Sequence, residues 1–177
     1  MTLLLLLLGF VLMGTGSLYY WKQSPNLVKT LNQPARQRAM DAQSAMISVL
    51  MRRIQENPND AEALSTLGSL FLEQGDWAGA ERFLSRVTVV TPSDPLPAYL
   101  LGLAQARQSG REYEAEANFL RAIDLGGPAE VRLSLGVLYS HFLGESEKAA
   151  PLFQQLLDDP DTPPDVKEAA RDELNAH

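Results

Sequence analysis

The side chains that most often ligate metals or act as nucleophiles are scarce in this chain: it has two histidines, His141 and His177, and no cysteine. That excludes a disulfide framework, a thiol redox site, a Cys-ligated zinc and covalent haem attachment. Acids are plentiful, but pairs such as Asp158 and Asp159 fall at helix ends and turns, where solvated charge is ordinary. No Gly-x-x-x-x-Gly-Lys loop, His-Glu-x-x-His, Gly-x-Ser-x-Gly or dinucleotide fingerprint is present. No catalytic residue, metal site or cofactor is therefore expected, and chemistry is to be sought in binding.

The 177 residues are 45% hydrophobic and 21% charged, with 12 Gly and 11 Pro, a composition that fits one modest globular domain. The net charge of −7 is uneven. Residues 1–40 hold Lys22, Lys29, Arg36 and Arg38 and no acid, which leaves 11 bases against 22 acids, a net −11, for the rest. So acidic a domain is a poor phosphate binder, and no nucleic acid is expected among its partners.

From Met1 to Trp21 there is no charged side chain, and the stretch has about the ~20 residues needed to cross a hydrocarbon core as a helix. Tyr19, Tyr20, Trp21 and Lys22 resemble the aromatic and basic boundary found at headgroup level. Residues 1–21 are read as a transmembrane anchor. A cleaved signal peptide is the rival, since Leu3–Leu12 has the length of an h-region, but it lacks the basic leading residues. The four bases after the span would favour a cytoplasmic domain, while the acidic remainder gives the rule little to compare. Residues 22–34, polar and with two prolines, read as a linker.

A period governs the rest. Residues 61–94 carry Leu64, Leu67-Gly68, Phe71, Gly75-Asp76-Trp77, Ala80, Leu84, Val87 and Pro92, which matches the 34-residue tetratricopeptide pattern. A second copy over about 95–128 runs through Tyr99, Leu101-Gly102, Gly110, Ala115, Phe119 and Ala122. A third, about 129–160, runs through Leu135-Gly136, Tyr139, Gly144, Ala149, Phe153 and Leu156. In both, the gap from the Leu-Gly pair to the turn Gly is one residue longer than in the first copy, so a bulge is expected there. A helix over 35–56, with a stripe of Ala42, Ala45, Met46, Val49, Leu50 and Ile54, precedes the repeats. A capping helix over 163–176 follows, with Thr162 as N-cap and Pro163 at its first position. The fold class is all-α: a solenoid of three helix-turn-helix repeats with flanking helices, 35–177, behind the anchor.

In such a stack the first helix of each pair lines an open face, and its outward side chains are not needed for the core. Those positions are Ser65, Ser69 and Leu72 in the first copy, Tyr99, Leu103, Ala106 and Arg107 in the second, and Leu133, Val137, Ser140 and His141 in the third. The set is largely apolar, and only Arg107 could clamp a peptide carboxylate. An amphipathic helix laid along the face fits it best. The alternative is that Tyr99, Leu103, Leu133 and Val137 pack against one another or the capping helix, as apolar stripes more often do. His141 could face a ligand or a haem edge, though a helix-end His with no second His or Met nearby in sequence usually does neither.

The run Gly16-Ser17-Leu18-Tyr19-Tyr20, then Ser24-Pro25-Asn26-Leu27, Gln33-Pro34-Ala35-Arg36, Asn57-Pro58-Asn59-Asp60 and the Leu67-Gly68 repeat resembles the membrane-anchored tetratricopeptide proteins of c-type cytochrome biogenesis, of the CcmI/CycH or NrfG type. That resemblance implies a single-pass protein of the bacterial inner membrane with its repeats in the periplasm. There it would hold apocytochrome c by its carboxy-terminal helix and pass it to the haem-ligation machinery. A holder without cysteine could form no mixed disulfide with its client. Two departures stand out: the larger relatives have an additional leading span, and the bases after this span fit a periplasmic domain poorly. The alternative is a general membrane-anchored scaffold for assembling other envelope complexes.

Overall fold

The computed structural model describes residues 27–176, so the expected transmembrane anchor over 1–21 and the start of the expected linker lie outside the described residues. Among the described residues there are eight α-helices and no strand: α1 (Leu27–Glu56), α2 (Ala61–Glu73), α3 (Trp77–Val90), α4 (Pro95–Ala106), α5 (Glu112–Asp124), α6 (Ala129–Val137), α7 (Ser146–Asp158) and α8 (Pro164–Ala176). A π-helical turn, Leu138–Leu143, continues α6. No helix among these residues is long and apolar enough to cross a membrane.

The chain divides into two units, Met1–Met46 and Ile47–His177. In the first, α1 begins at Leu27, earlier than residue 35, so the end of the expected linker is helical. Nothing from Leu27 to Gln33 breaks a helix, and the fixed φ of Pro34 is itself helical at the cost of one hydrogen bond. Met40 and Met46 are exposed, and Gln37 donates to Asp41 across one turn at 2.9 Å.

The second unit opens with the last turns of α1. Here the expected stripe is corrected: Leu50 and Ile54 are buried and Ile47 packs beside them, whereas Val49 is exposed, as are Ala42, Ala45 and Met46 in the first unit. The inward row is Ile47, Leu50 and Ile54, spaced three and four residues apart, and Val49 points about 100° away from Leu50.

Three helical hairpins follow, α2 with α3, α4 with α5, and α6 with α7, and α8 packs on α7. Aspartate and proline start several of the helices locally. Asp60, Asp76 and Asp94 each accept a hydrogen bond from the first turn of α2, α3 and α4, from Ala63, Gly79 and Leu96 N–H at 3.0, 2.9 and 3.0 Å. Pro95 then occupies the first position of α4, where no N–H is needed.

Within each hairpin the helices meet at a glycine. A Cβ on Gly68 would lie 2.6 Å from Leu84, and one on Gly102 would lie 2.6 Å from the Phe119 ring; Gly136 stands in the same relation to Phe153. The opposing small residues Ala80, Ala115 and Ala149 are buried as well. One buried cluster joins Leu50 and Ile54 to Leu64, Leu67, Phe83 and Val87. A second links Ala80 and Leu84 to Leu101 and Ala104, and a third runs from Ala98 and Phe119 through Leu135 and Phe153 to Val166 and Ala170. Burying a side chain such as Phe119 or Phe153 stabilises the fold by about 1.5–3 kcal/mol.

The extra residue of the second and third copies is absorbed in two ways. In the second, it lengthens the connection between Ala106 and Glu112, which contains Gly110 at φ 82°. In the third, it is wound into the π turn, which ends at Gly144, φ 68°, with Glu145 N–H donating to the Tyr139 carbonyl at 2.8 Å. The start of α8 is also corrected. The helix begins at Pro164, and the Pro163 carbonyl accepts its first bond from Lys167 N–H at 3.0 Å. Thr162 donates its N–H to the Asp159 carbonyl at 3.3 Å in a turn that buries its side chain, and its hydroxyl caps nothing among the described residues.

Candidate functional site

The first helices α2, α4 and α6 supply the face on which the sequence places its candidate residues. Between α4 and α6 lies a cleft of about 300 Å³ whose lining includes Leu103, Ala106, Arg107, Leu133, Val137 and Phe142, with Phe119 and Leu138 at its base. Four of the candidates, Leu103, Arg107, Leu133 and Val137, are thus brought together. Leu103, Leu133 and Val137 are half-buried: each packs on the third core cluster with one side and presents the other to the cleft. Packing and lining are both realised. Phe142 stands at the cleft 52% exposed, an unusual position for a phenylalanine, and it is there because the π turn carries it.

Ser65 and Ser69 line a different recess, of about 490 Å³, with Glu62, Thr66, Thr91 and Asp94 among its walls. Leu72 packs on the Ala80 and Leu84 cluster. Tyr99 lies tilted 6.0 Å from the Phe119 ring, and its hydroxyl is 3.3 Å from Ser134 Oγ, itself in the cleft wall. His141 is turned from the cleft to α8, with Nε2 2.7 Å from Glu173 Oε2. Ser140 lines a further cavity of about 270 Å³ with Glu173 and Leu174.

Charge is arranged asymmetrically along this face. The Arg107 guanidinium is held 5.8 Å from the centroid of the Trp77 ring, which joins the first hairpin to the second. At the start of α2 Arg53 forks to Asp60 at 2.9 and 3.1 Å and reaches Glu62 at 2.8 Å. The Ala63 N–H and Arg53 together hold the Asp60 carboxyl below its usual range, against the opposing effect of burial.

Sequence reasoning missed a polar hub behind the face. Glu81 of α3 accepts from Gln105 at 3.2 Å, Gln108 at 3.1 Å and Arg111 at 2.6 and 3.2 Å, and Asn118 donates to the Gln105 side-chain carbonyl oxygen at 2.8 Å. Burial pushes the Glu81 carboxyl up, but the two amide donors and Arg111 outweigh it and leave it lowered. The hub fixes the second hairpin against the first, and hence the angle of α4. In the third hairpin Tyr139 plays a related part, donating to Glu116 Oε1 at 2.6 Å beneath the Lys148 ammonium, which is 5.1 Å from its ring.

This geometry is that of a tetratricopeptide-repeat fold, and comparison with known proteins agrees. A family model described as tetratricopeptide repeat matches residues 35–106. A crystal structure of MamA is similar with a TM-score of 0.67 at 20% identity, covering 80% of this chain and 82% of that one. MamA from Desulfovibrio magneticus RS-1 gives 0.60 at 20% identity, over 76% and 70% of the two chains. TTC0263, a thermophilic repeat protein of Thermus thermophilus, gives 0.60 at 24%, over 80% and 78%. No curated protein matches the chain. The shared property is the fold, a stack of helical hairpins.

Proposed function

We propose that this chain is a non-enzymatic scaffold that holds a helical segment of another protein in the cleft between α4 and α6, tethered to a membrane through residues 1–21. One observation carries the reading: Leu103, Leu133, Val137 and Phe142 converge on an open apolar cleft, and Phe142 remains half-exposed beside it. Exposed apolar surface gathered into a concavity is what a partner's side chains cover. The similarity to MamA and TTC0263 fits a general scaffold. The resemblance in sequence to the cytochrome-biogenesis proteins supports a narrower client, the carboxy-terminal helix of an apocytochrome c, held at the outer face of a bacterial inner membrane for the haem-ligation machinery.

Binding to the full-length chain tests both. Labelled peptides from the last helix of an apocytochrome c and from unrelated amphipathic helices are titrated and followed by fluorescence anisotropy. Binding of both classes supports the general scaffold, and binding of the cytochrome helix alone supports the narrower client. Absence of any binding removes the proposal.

A further inference from the structure

We infer that the helix this face accepts is cationic, lying with its apolar anchor between α4 and α6 and its basic residues toward α2. The inference rests on the reading that the cleft holds a helix, and adds the chemistry and direction of that helix.

The volumes come first. A space of about 300 Å³ is at the lower bound of ligand pockets, enough for one aromatic or two aliphatic side chains and too small for a whole helix. The rest of the segment must extend along the face. Along it, toward the first hairpin, lies the recess of about 490 Å³, whose walls include Glu62 and Asp94 and the Ser65 and Ser69 hydroxyls, and which no base lines among the described residues. Glu62 remains 79% exposed with Arg53 beside it, so its carboxylate is open to a second cation. Those groups favour Lys or Arg side chains, whose N–H donors can use both carboxylates and hydroxyls.

The cleft itself carries the opposite sign. Arg107 lines the cleft and is exposed, so a cation placed beside the anchor there meets a like charge. Charge therefore fixes the layout: bases in the recess at α2, and a neutral or acidic stretch beside the anchor, where Arg107 leans on Trp77 of the first hairpin. The net −11 of residues beyond 40 adds a field that draws cations in from solution.

The test uses the full-length chain and designed helical peptides of equal length with one shared apolar stripe. One has Lys on its polar face, one has Glu, and one has its Lys residues clustered beside the anchor, next to Arg107. The Lys peptide is expected to bind about tenfold tighter than the Glu peptide at low salt, with the difference shrinking at about 0.5 M salt. The peptide with Lys clustered beside the anchor is expected to bind more weakly than the one with Lys spread toward α2. Glu62→Gln, at an exposed site where Asp60 still holds Arg53, is expected to weaken the Lys peptide about three- to fivefold and leave the Glu peptide unchanged. Equal affinities, or a tighter Glu peptide, overturn the inference and leave the helix-holding reading standing. If none of the peptides binds, both fall.

Discussion

Replacing Gly102 by alanine sets two effects of opposite sign against each other. Gly102 lies inside α4, where alanine would ordinarily stabilise a helix by about 1 kcal/mol. Its Cβ, however, would stand 2.6 Å from Phe119 Cε1, 2.7 Å from Cδ1 and 3.3 Å from the Ala115 carbonyl oxygen. Carbon atoms in contact sit about 3.5–4.0 Å apart, so the ring must retreat by about 1 Å. Phe119 is 1% exposed and has Tyr99 beside it, which leaves a backbone shift between α4 and α5 as the way out. Overpacking of that kind costs about 1–3 kcal/mol. The net expectation is a loss of about 1 kcal/mol, or about 2–4 °C in Tm. Urea unfolding followed by far-ultraviolet circular dichroism measures it, with the midpoints compared at equal slope. The control is the same change in a Phe119→Leu background, where the smaller side chain gives way and alanine should become neutral or stabilising. A Gly102→Ala chain more stable than the parent, or an equal penalty in both backgrounds, would refute the claim that this glycine exists for helix contact.

Glu81→Gln removes a carboxylate that accepts from Arg111, Gln105 and Gln108, and should cost about 1–3 kcal/mol by urea unfolding at pH 7. Because the folded carboxyl lies below its unfolded value of about 4, its contribution is present above that value and is lost as pH falls through the folded one. The variant should therefore lose less stability between about pH 5 and pH 3 than the parent. Tyr139 has the opposite sign. Burial, then the Glu116 hydrogen bond, raise its phenol well above the ordinary value of about 10, so its contribution is complete below that pH and is lost as pH rises beyond it. Tyr139→Phe should be about 0.5–1.5 kcal/mol less stable at pH 7 and lack that part of the alkaline decline, which thermal melts at about pH 8 and 10.5 would show.

Much of the fold was legible because it repeats. Gly68, Gly102 and Gly136 recur at a spacing of 34, and each stands where its hairpin closes. The longer gaps before Gly110 and Gly144 also announced an irregularity. Its form was not legible, since a lengthened loop and a π turn insert the same single residue. The inward face of α1 was misjudged because Val49 and Leu50 are equally apolar, and only the neighbours they meet separate them. Of the cleft's lining, Leu103, Arg107, Leu133 and Val137 were placed on the open face by their position in the repeat. Phe142 was not, because it owes its place to the π turn. Glu81 and Arg111 are 30 residues apart with no periodic signal, so their ion pair exists only once the hairpins are stacked.

The cleft itself is tested most directly by comparing two faces of one molecule for binding of an amphipathic helical peptide. Leu133→Ala with Val137→Ala trims its walls, while Leu120→Ala trims an exposed leucine on α5 that does not line it. The predicted result is a loss of more than ~1 kcal/mol of binding free energy for the first pair and no measurable change for Leu120, with helix content retained in both. Unchanged affinity in the double variant, or equal losses from the two faces, would contradict the account.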